Sequence, residues 1–133
     1  GGGTTDYAVD IFIQALKSKN YTCYLRKDAK LPMMYMSDAI RATIEIMEAP
    51  PSSIKIRSSY NLSGISFDPN EITNAIRREI PEFKIKYEPD FRQQIAESWP
   101  NSVDDSCAKT DWKWENKVGL QEIVKKMLKG LSQ

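Results

Sequence analysis

The sequence predicts a mixed α/β chain, mostly helical, with five or six helices and four short strands. Three observations predict it. Apolar residues recur at helical spacing in separate stretches, most cleanly from Leu120 to Leu131, where Leu120, Ile123, Val124, Met127, Leu128 and Leu131 share one face. Phe83-Lys-Ile85-Lys-Tyr87 alternates apolar and charged residues, the period of a half-buried strand. Proline and Asp/Ser clusters separate these segments at short intervals, so no element is long.

Taken in order, Tyr7, Val9, Ile11, Phe12 and Leu16 predict a first helix from Asp6 to about Lys19. Tyr21 to Leu25 favours β structure and ends in the charged turn Arg26 to Lys30. Leu31 to Met36 reads as extended, because Pro32 disfavours helix around it. Ser37 or Asp38 then caps a helix carrying Ile40, Ile44, Ile46 and Met47, which ends before Pro50-Pro51. Met34, Tyr35 and Asp38 are read as structural. Ile54 to Arg57 and Ser59 to Ser63 read as extended, with Gly64 stopping the second. Asp68 as N-cap and Pro69 at the first helical position open the next helix, whose apolar face is Ile72, Ala75, Ile76 and Ile80. After the Phe83–Tyr87 strand, Pro89 to Trp99 reads as a helix with Phe91, Ile95 and Ala96 inward, closed by Pro100. Asp104-Asp105-Ser106 caps a short helix through Asp111, and Trp112 and Trp114 follow as an apolar anchor.

Composition removes several classes of function. At 133 residues the chain is about one domain long. Nineteen basic and 18 acidic residues leave a net charge of +1, which gives no global electrostatic case for nucleic acid or an acidic membrane. The longest apolar stretch, Leu31 to Met36, is far too short to span a bilayer. There is no histidine, which removes Ser-His-Asp and Cys-His catalysis. Cys23 and Cys107 are not at metal-ligand spacing and are expected to be unpaired, so no metal site is predicted. Glycines stand only at 1, 2, 3, 64, 119 and 130, so neither a dinucleotide fingerprint nor a phosphate-binding loop can be drawn. The opening Gly1-Gly2-Gly3-Thr4-Thr5-Asp6-Tyr7 admits two readings. It is either an expression scar or a glycine turn feeding a helix N-terminus, whose free N–H groups suit a carboxylate or phosphate.

The motifs in series resemble a known family. Leu31-Pro-Met-Met-Tyr-Met-Ser-Asp-Ala-Ile-Arg-Ala42, Tyr60-Asn-Leu-Ser-Gly64 with Asp68-Pro-Asn-Glu-Ile72, and Asp104 through Trp114 are similar to successive blocks in the C-terminal half of extended short-chain dehydrogenases. Gly1 to Phe12, Leu31 to Met36, and Tyr87-Glu-Pro-Asp-Phe-Arg-Gln93 through Ser98-Trp-Pro100 resemble the L-threonine 3-dehydrogenases of that superfamily. The resemblance covers essentially the whole chain in order, and it favours the binding-turn reading of the glycines.

It implies that residues 1–133 are the C-terminal substrate-binding portion of an enzyme whose N-terminal Rossmann part, holding NAD, lies outside the chain. It also implies a Tyr-x-x-x-Lys proton-accepting pair. No tyrosine here has lysine four positions later, so no catalytic or cofactor-binding residue is assigned. Gly3, Thr4 and Trp99 match substrate-contacting positions of the family. The implied reaction of the complete enzyme is oxidation of L-threonine to 2-amino-3-oxobutanoate with reduction of NAD, while the fragment alone is expected to be inactive and prone to self-association. The resemblance further implies a homodimer and a mitochondrial location in eukaryotes or a cytoplasmic one in bacteria, while charge and hydropathy give the expectation of no nucleic-acid or membrane partner. Two alternatives remain: the C-terminal part of a nucleotide-sugar epimerase or dehydratase, with Arg41, Arg57 and Arg92 available for phosphate, and a freestanding interaction domain.

Overall fold

A computed structural model describes residues 6–132. Among these residues the chain forms six helices and four short strands: α1 (Tyr7–Lys17), β1 (Asn20–Cys23), β2 (Leu31–Met33), α2 (Met36–Glu48), β3 (Ile65–Phe67), α3 (Pro69–Arg77), β4 (Lys84–Tyr87), α4 (Arg92–Glu97), α5 (Ser106–Trp112) and α6 (Leu120–Leu131). The mixed, mostly helical class expected from the sequence is the one observed.

Two separate two-stranded sheets organise the chain. β1 and β4 run parallel, with Tyr21 opposite Ile85 and Cys23 opposite Tyr87. β2 and β3 run antiparallel, with Leu31 opposite Phe67 and Met33 opposite Ile65. Tyr7, Ile11, Phe12 and Ala15 of α1, Cys23 and Leu25, Ile72 and Ile76 of α3, Phe83, and Ile123 and Val124 of α6 share one core. A smaller second core joins Ala42 of α2 and Ala108 of α5 to Trp112 and Trp114, with Tyr60 and Leu62 packed against it.

Local chemistry explains the firm boundaries. Asp68 and Glu71 form a reciprocal capping box at α3: Glu71 N–H donates to Asp68 Oδ1 at 2.7 Å, and Asp68 N–H donates to Glu71 Oε2 at 2.9 Å. Asp104 Oδ1 accepts from the Ser106 N–H at the start of α5. Trp112 and Trp114 are buried as anchors, and the Trp114 indole N–H donates to the Ser63 carbonyl at 3.2 Å. Cys23 is buried and unpaired, and Cys107 is exposed and unpaired.

Four expectations need correction. Ile54–Arg57 and Ser59–Ser63 form no strand, and the strand of this region lies after Gly64 rather than before it, at Ile65–Phe67. The reason is the approach of β3 to β2. A Cβ on Gly64 would sit 2.4 Å from the Met33 carbonyl oxygen, so glycine here permits backbone contact rather than stopping a strand. Leu31–Met36 splits, with only its first three residues extended and Met36 already helical. Asp38 does not cap α2, whose N-cap is Tyr35. The inward face of the α4 segment also differs in part from expectation. Phe91 and Ile95 are exposed, while Ala96 is buried as expected, with Gln93 beside it; on α2 the apolar Ile40, Ile44 and Met47 are exposed and Asp38 and Ala42 are buried. Spacing finds an apolar stripe on a helix but does not say what the stripe is for.

Candidate functional site

The site expected from the sequence has two sides. Gly3 and Thr4 lie outside the described residues. Trp99 is described: it follows α4, its N–H donates to the Ala96 carbonyl at 3.1 Å, and its side chain is 45% exposed. With Phe91 and Ile95 it repeats every fourth residue along the outer side of the α4 segment.

The α4 segment and the start of α1 converge at Tyr24. The Arg92 guanidinium lies 3.3 Å above the Tyr24 ring and is held there by Asp90, whose Oδ1 and Oδ2 each accept from Arg92 Nε at 3.0 Å. Burial pushes the Tyr24 phenol up, Arg92 opposes that shift, and the Tyr7 backbone and the Asp6 carboxylate also act on it. Tyr24 therefore stands between Arg92 and the first residues of α1. Gln93 ties the same segment to the β1 loop, because its Oε1 accepts from the Arg26 N–H at 2.8 Å. Arg26 also pairs with Glu97 at 2.8 Å. A small polar cavity of about 290 Å³ lies alongside, lined by Arg26, Lys30, Gln93, Glu97 and Asn101 among others. Sequence reasoning missed this convergence. Its only signal was Asp90-x-Arg92, too common a spacing to stand out.

A larger open cleft of about 800 Å³ lies where α1, the β1–β4 pair and α3 meet, with Asp10, Gln14, Arg77, Lys84 and Lys86 on its walls. Its wall residue Tyr21 is buried, burial pushes its phenol far up, and its hydroxyl has no hydrogen-bond partner among the described residues. Burial likewise raises the Cys23 thiol. These groups stay protonated at neutral pH, so they are poor bases or nucleophiles. No cluster of three or more metal-ligating side chains occurs among the described residues.

The described residues offer no dinucleotide cradle either. Gly64 is pressed against Met33, Gly119 is the N-cap of α6, and Gly130 lies inside that helix. Two of the three arginines that the nucleotide-sugar alternative would need are already engaged. Arg41 donates to Asp38, Glu45 and the Glu115 carbonyl, and Arg92 is chelated by Asp90. Arg57 is exposed in the loop beyond α2.

Comparison with known proteins resolves the likeness. No family profile matches the chain. A GalE-like L-threonine dehydrogenase from Cupriavidus necator shares 58% identity and superposes with a TM-score of 0.93 over 98% of this chain and 47% of its own. The mitochondrial L-threonine 3-dehydrogenase of Bos taurus is 48% identical over 129 residues, 96% of this chain and 34% of the bovine protein. Its homologues are L-threonine 3-dehydrogenases, and the chain corresponds to their C-terminal part. An uncharacterised epimerase/dehydratase of Staphylococcus aureus matches the whole chain at 45% identity and 42% of its own length. The chain thus spans a third to a half of the length of these relatives, which include GalE-like threonine dehydrogenases and an epimerase/dehydratase.

Proposed function

We propose that residues 1–133 are the C-terminal, substrate-binding portion of an NAD-dependent L-threonine 3-dehydrogenase. The observation that carries this is 58% identity with a TM-score of 0.93 to a protein named for that activity, across 98% of the chain. In the complete protein L-threonine is oxidised to 2-amino-3-oxobutanoate. NAD, whose cradle the described residues do not provide, is held by the N-terminal part, and the hydride chemistry is the cofactor's. This portion supplies binding and orientation. Trp99, half exposed at the end of α4, contacts a small substrate together with Gly3 and Thr4. The convergence of Arg92, Tyr24 and the start of α1 supports that pairing of distant segments. The engagement of Arg41 and Arg92 by carboxylates favours threonine over a diphosphate-bearing sugar. The complete protein is a homodimer, mitochondrial in a eukaryotic source and cytoplasmic in a bacterial one.

Two features support a further part outside the chain. A parallel pair of strands is normally found within a larger covered sheet rather than alone, and β1–β4 is such a pair. Helix faces on α1, α2 and α4 also carry large exposed apolar residues.

The test joins this chain to the part of the C. necator enzyme that precedes the matched region and follows threonine-dependent NADH formation. The joined protein is expected to turn over, and the 133-residue chain alone to give none. Turnover by the isolated chain, or turnover of a UDP-sugar but not of threonine by the joined protein, overturns the proposal. Trp99→Ala in the joined protein is expected to raise KM for threonine on the order of tenfold, the scale of one lost aromatic contact, with the melting temperature unchanged.

A further inference from the structure

Strand β4 alternates strictly. Ile85 and Tyr87 turn to the core that also holds Tyr21 and Cys23 of β1, so Lys84 and Lys86 stand together on the opposite, exposed face. The parallel register sets Asn20 beside Lys84 and Thr22 beside Lys86. These four line the cleft of about 800 Å³, together with Arg77 of α3 and with Asp10 and Gln14 of α1. Two residues apart on a strand, the lysine stems rise about 6.6 Å from one another, and like charges on neighbouring stems repel. Neither lysine side chain has an ion-pair or hydrogen-bond partner among the described residues to relieve this. Glu82, two residues before Lys84, is taken by Lys19. Glu88, two residues after Lys86, does not line the cleft. Arg77 is fixed at the rim by its Nε, which donates to the Phe83 carbonyl at 3.0 Å, and no carboxylate takes its other nitrogens among the described residues. Three cations thus face one carboxylate, Asp10, in a chain whose net charge is only +1.

We propose that this cleft seats a diphosphate group, free or carried by a nucleotide. Charge selects a multivalent anion, because a single carboxylate would leave most of the cations unneutralised. The donors select a ligand of oxygen acceptors. Lys84, Lys86 and Arg77 donate and cannot accept, and the Thr22 hydroxyl and the Gln14 amide can each add a donor. Their spread selects length. Two phosphoryl groups in a row reach both ammonium groups at once, whereas one group reaches them only by drawing the two side chains together. The seat is built from α1, the β1–β4 pair and α3, and it shares no residue with Gly3, Thr4 and Trp99.

The experiment reads the two lysines directly. The chain joined to the N-terminal part of the C. necator enzyme is acetylated at trace level, and mass spectrometry follows the rates at Lys84, Lys86 and, as control, the exposed Lys125 of α6. Inorganic pyrophosphate, ADP, AMP and sulfate are added in turn at constant ionic strength. With pyrophosphate or ADP about tenfold above half-saturation, labelling at 84 and 86 is expected to slow about tenfold, and at 125 not at all. Protection by pyrophosphate alone assigns a free diphosphate, and protection by ADP assigns a nucleotide; either supports the seat. Equal protection by AMP or sulfate shows a diffuse basic patch and overturns the inference, as does no protection at all. Stronger protection by a glutamate-rich peptide makes the cleft a docking surface for an acidic protein and overturns it too. Lys84→Gln, an exposed change expected to leave the melting temperature unchanged, should remove most of the protection at Lys86; undiminished protection there sinks the proposal. Labelling needs no turnover, so threonine oxidation by the same joined protein stands or falls on its own.

Discussion

Asp38 shows how one side chain can hold two distant stretches together. It is 2% exposed, its Oδ2 accepts from the Lys117 and Val118 N–H groups at 2.9 and 3.0 Å, and its Oδ1 accepts from Arg41 at 3.0 Å. Burial alone would raise its pKa. The Val118 N–H, the Arg41 guanidinium and the Lys117 N–H together outweigh burial and hold it below the usual carboxylate value. The unfolded chain therefore takes up this proton first as pH falls. The stabilisation from Asp38 is full above the ordinary range, near pH ~4, and is lost as pH drops through the depressed folded value. Asp38→Asn is expected to cost about 2 kcal/mol at neutral pH, the scale of hydrogen bonds to a charged group. It should also flatten the acid limb of a urea-midpoint-against-pH curve. An unchanged acid limb would show that another carboxylate governs it. The sequence placed Asp38 near a helix start and so read it as a cap; its backbone partners at Lys117 and Val118 are about eighty residues away, where no local pattern reaches.

Among the elements, those whose signal is local were legible and those defined by a distant partner were not. Asp68-Pro69-Asn70-Glu71 carries its own capping chemistry, and α3 begins there as expected. The alternation in Phe83–Tyr87 and the periodicity of Leu120–Leu131 likewise gave β4 and α6. By contrast, Ile65–Phe67 is a strand because Leu31–Met33 lies beside it, and Ser59–Ser63 is not one because no described strand does. Gly64 is the position where that difference can be measured. Gly64→Ala would put a Cβ against the Met33 carbonyl and the Met34 Cα, backbone atoms that cannot turn away. A loss of about 2 kcal/mol in chemical denaturation is expected, the usual range for forcing extra volume into a packed site. A neutral substitution would show that β2 and β3 can separate freely. The candidate site was legible only in part. Trp99 stood out in sequence, but the stacking of Arg92 on Tyr24, which joins the α4 segment to the end of β1, did not, because sequence order keeps the two far apart.

For the molecule as a whole, the decisive property is where apolar surface was left uncovered. Val9, Ile13 and Leu16 on α1, the stripe on α2, and Phe91, Ile95 and Trp99 beside α4 are all partly exposed. The isolated chain is therefore expected to self-associate as its concentration rises, with sedimentation profiles that shift to larger species and respond little to added salt, since the driving surface is uncharged. A monomer at every concentration would count against these faces being interfaces. The net charge of +1 offers little repulsion to oppose the association.

The parallel pairing of β1 with β4 also sets an order of events during synthesis. Asn20–Cys23 must wait for Lys84–Tyr87, about sixty residues later, before either has a ladder. The capping signal of α3 lies within its own sequence, but among the described residues β1 has no strand partner until β4 has emerged. Tyr21 and Ile85 should then show φ-values near zero and Ala75 a higher one. Among the described residues, then, an early strand waits for the second half of the chain before it has a partner, and an unpaired strand edge is open to the wrong neighbour until then.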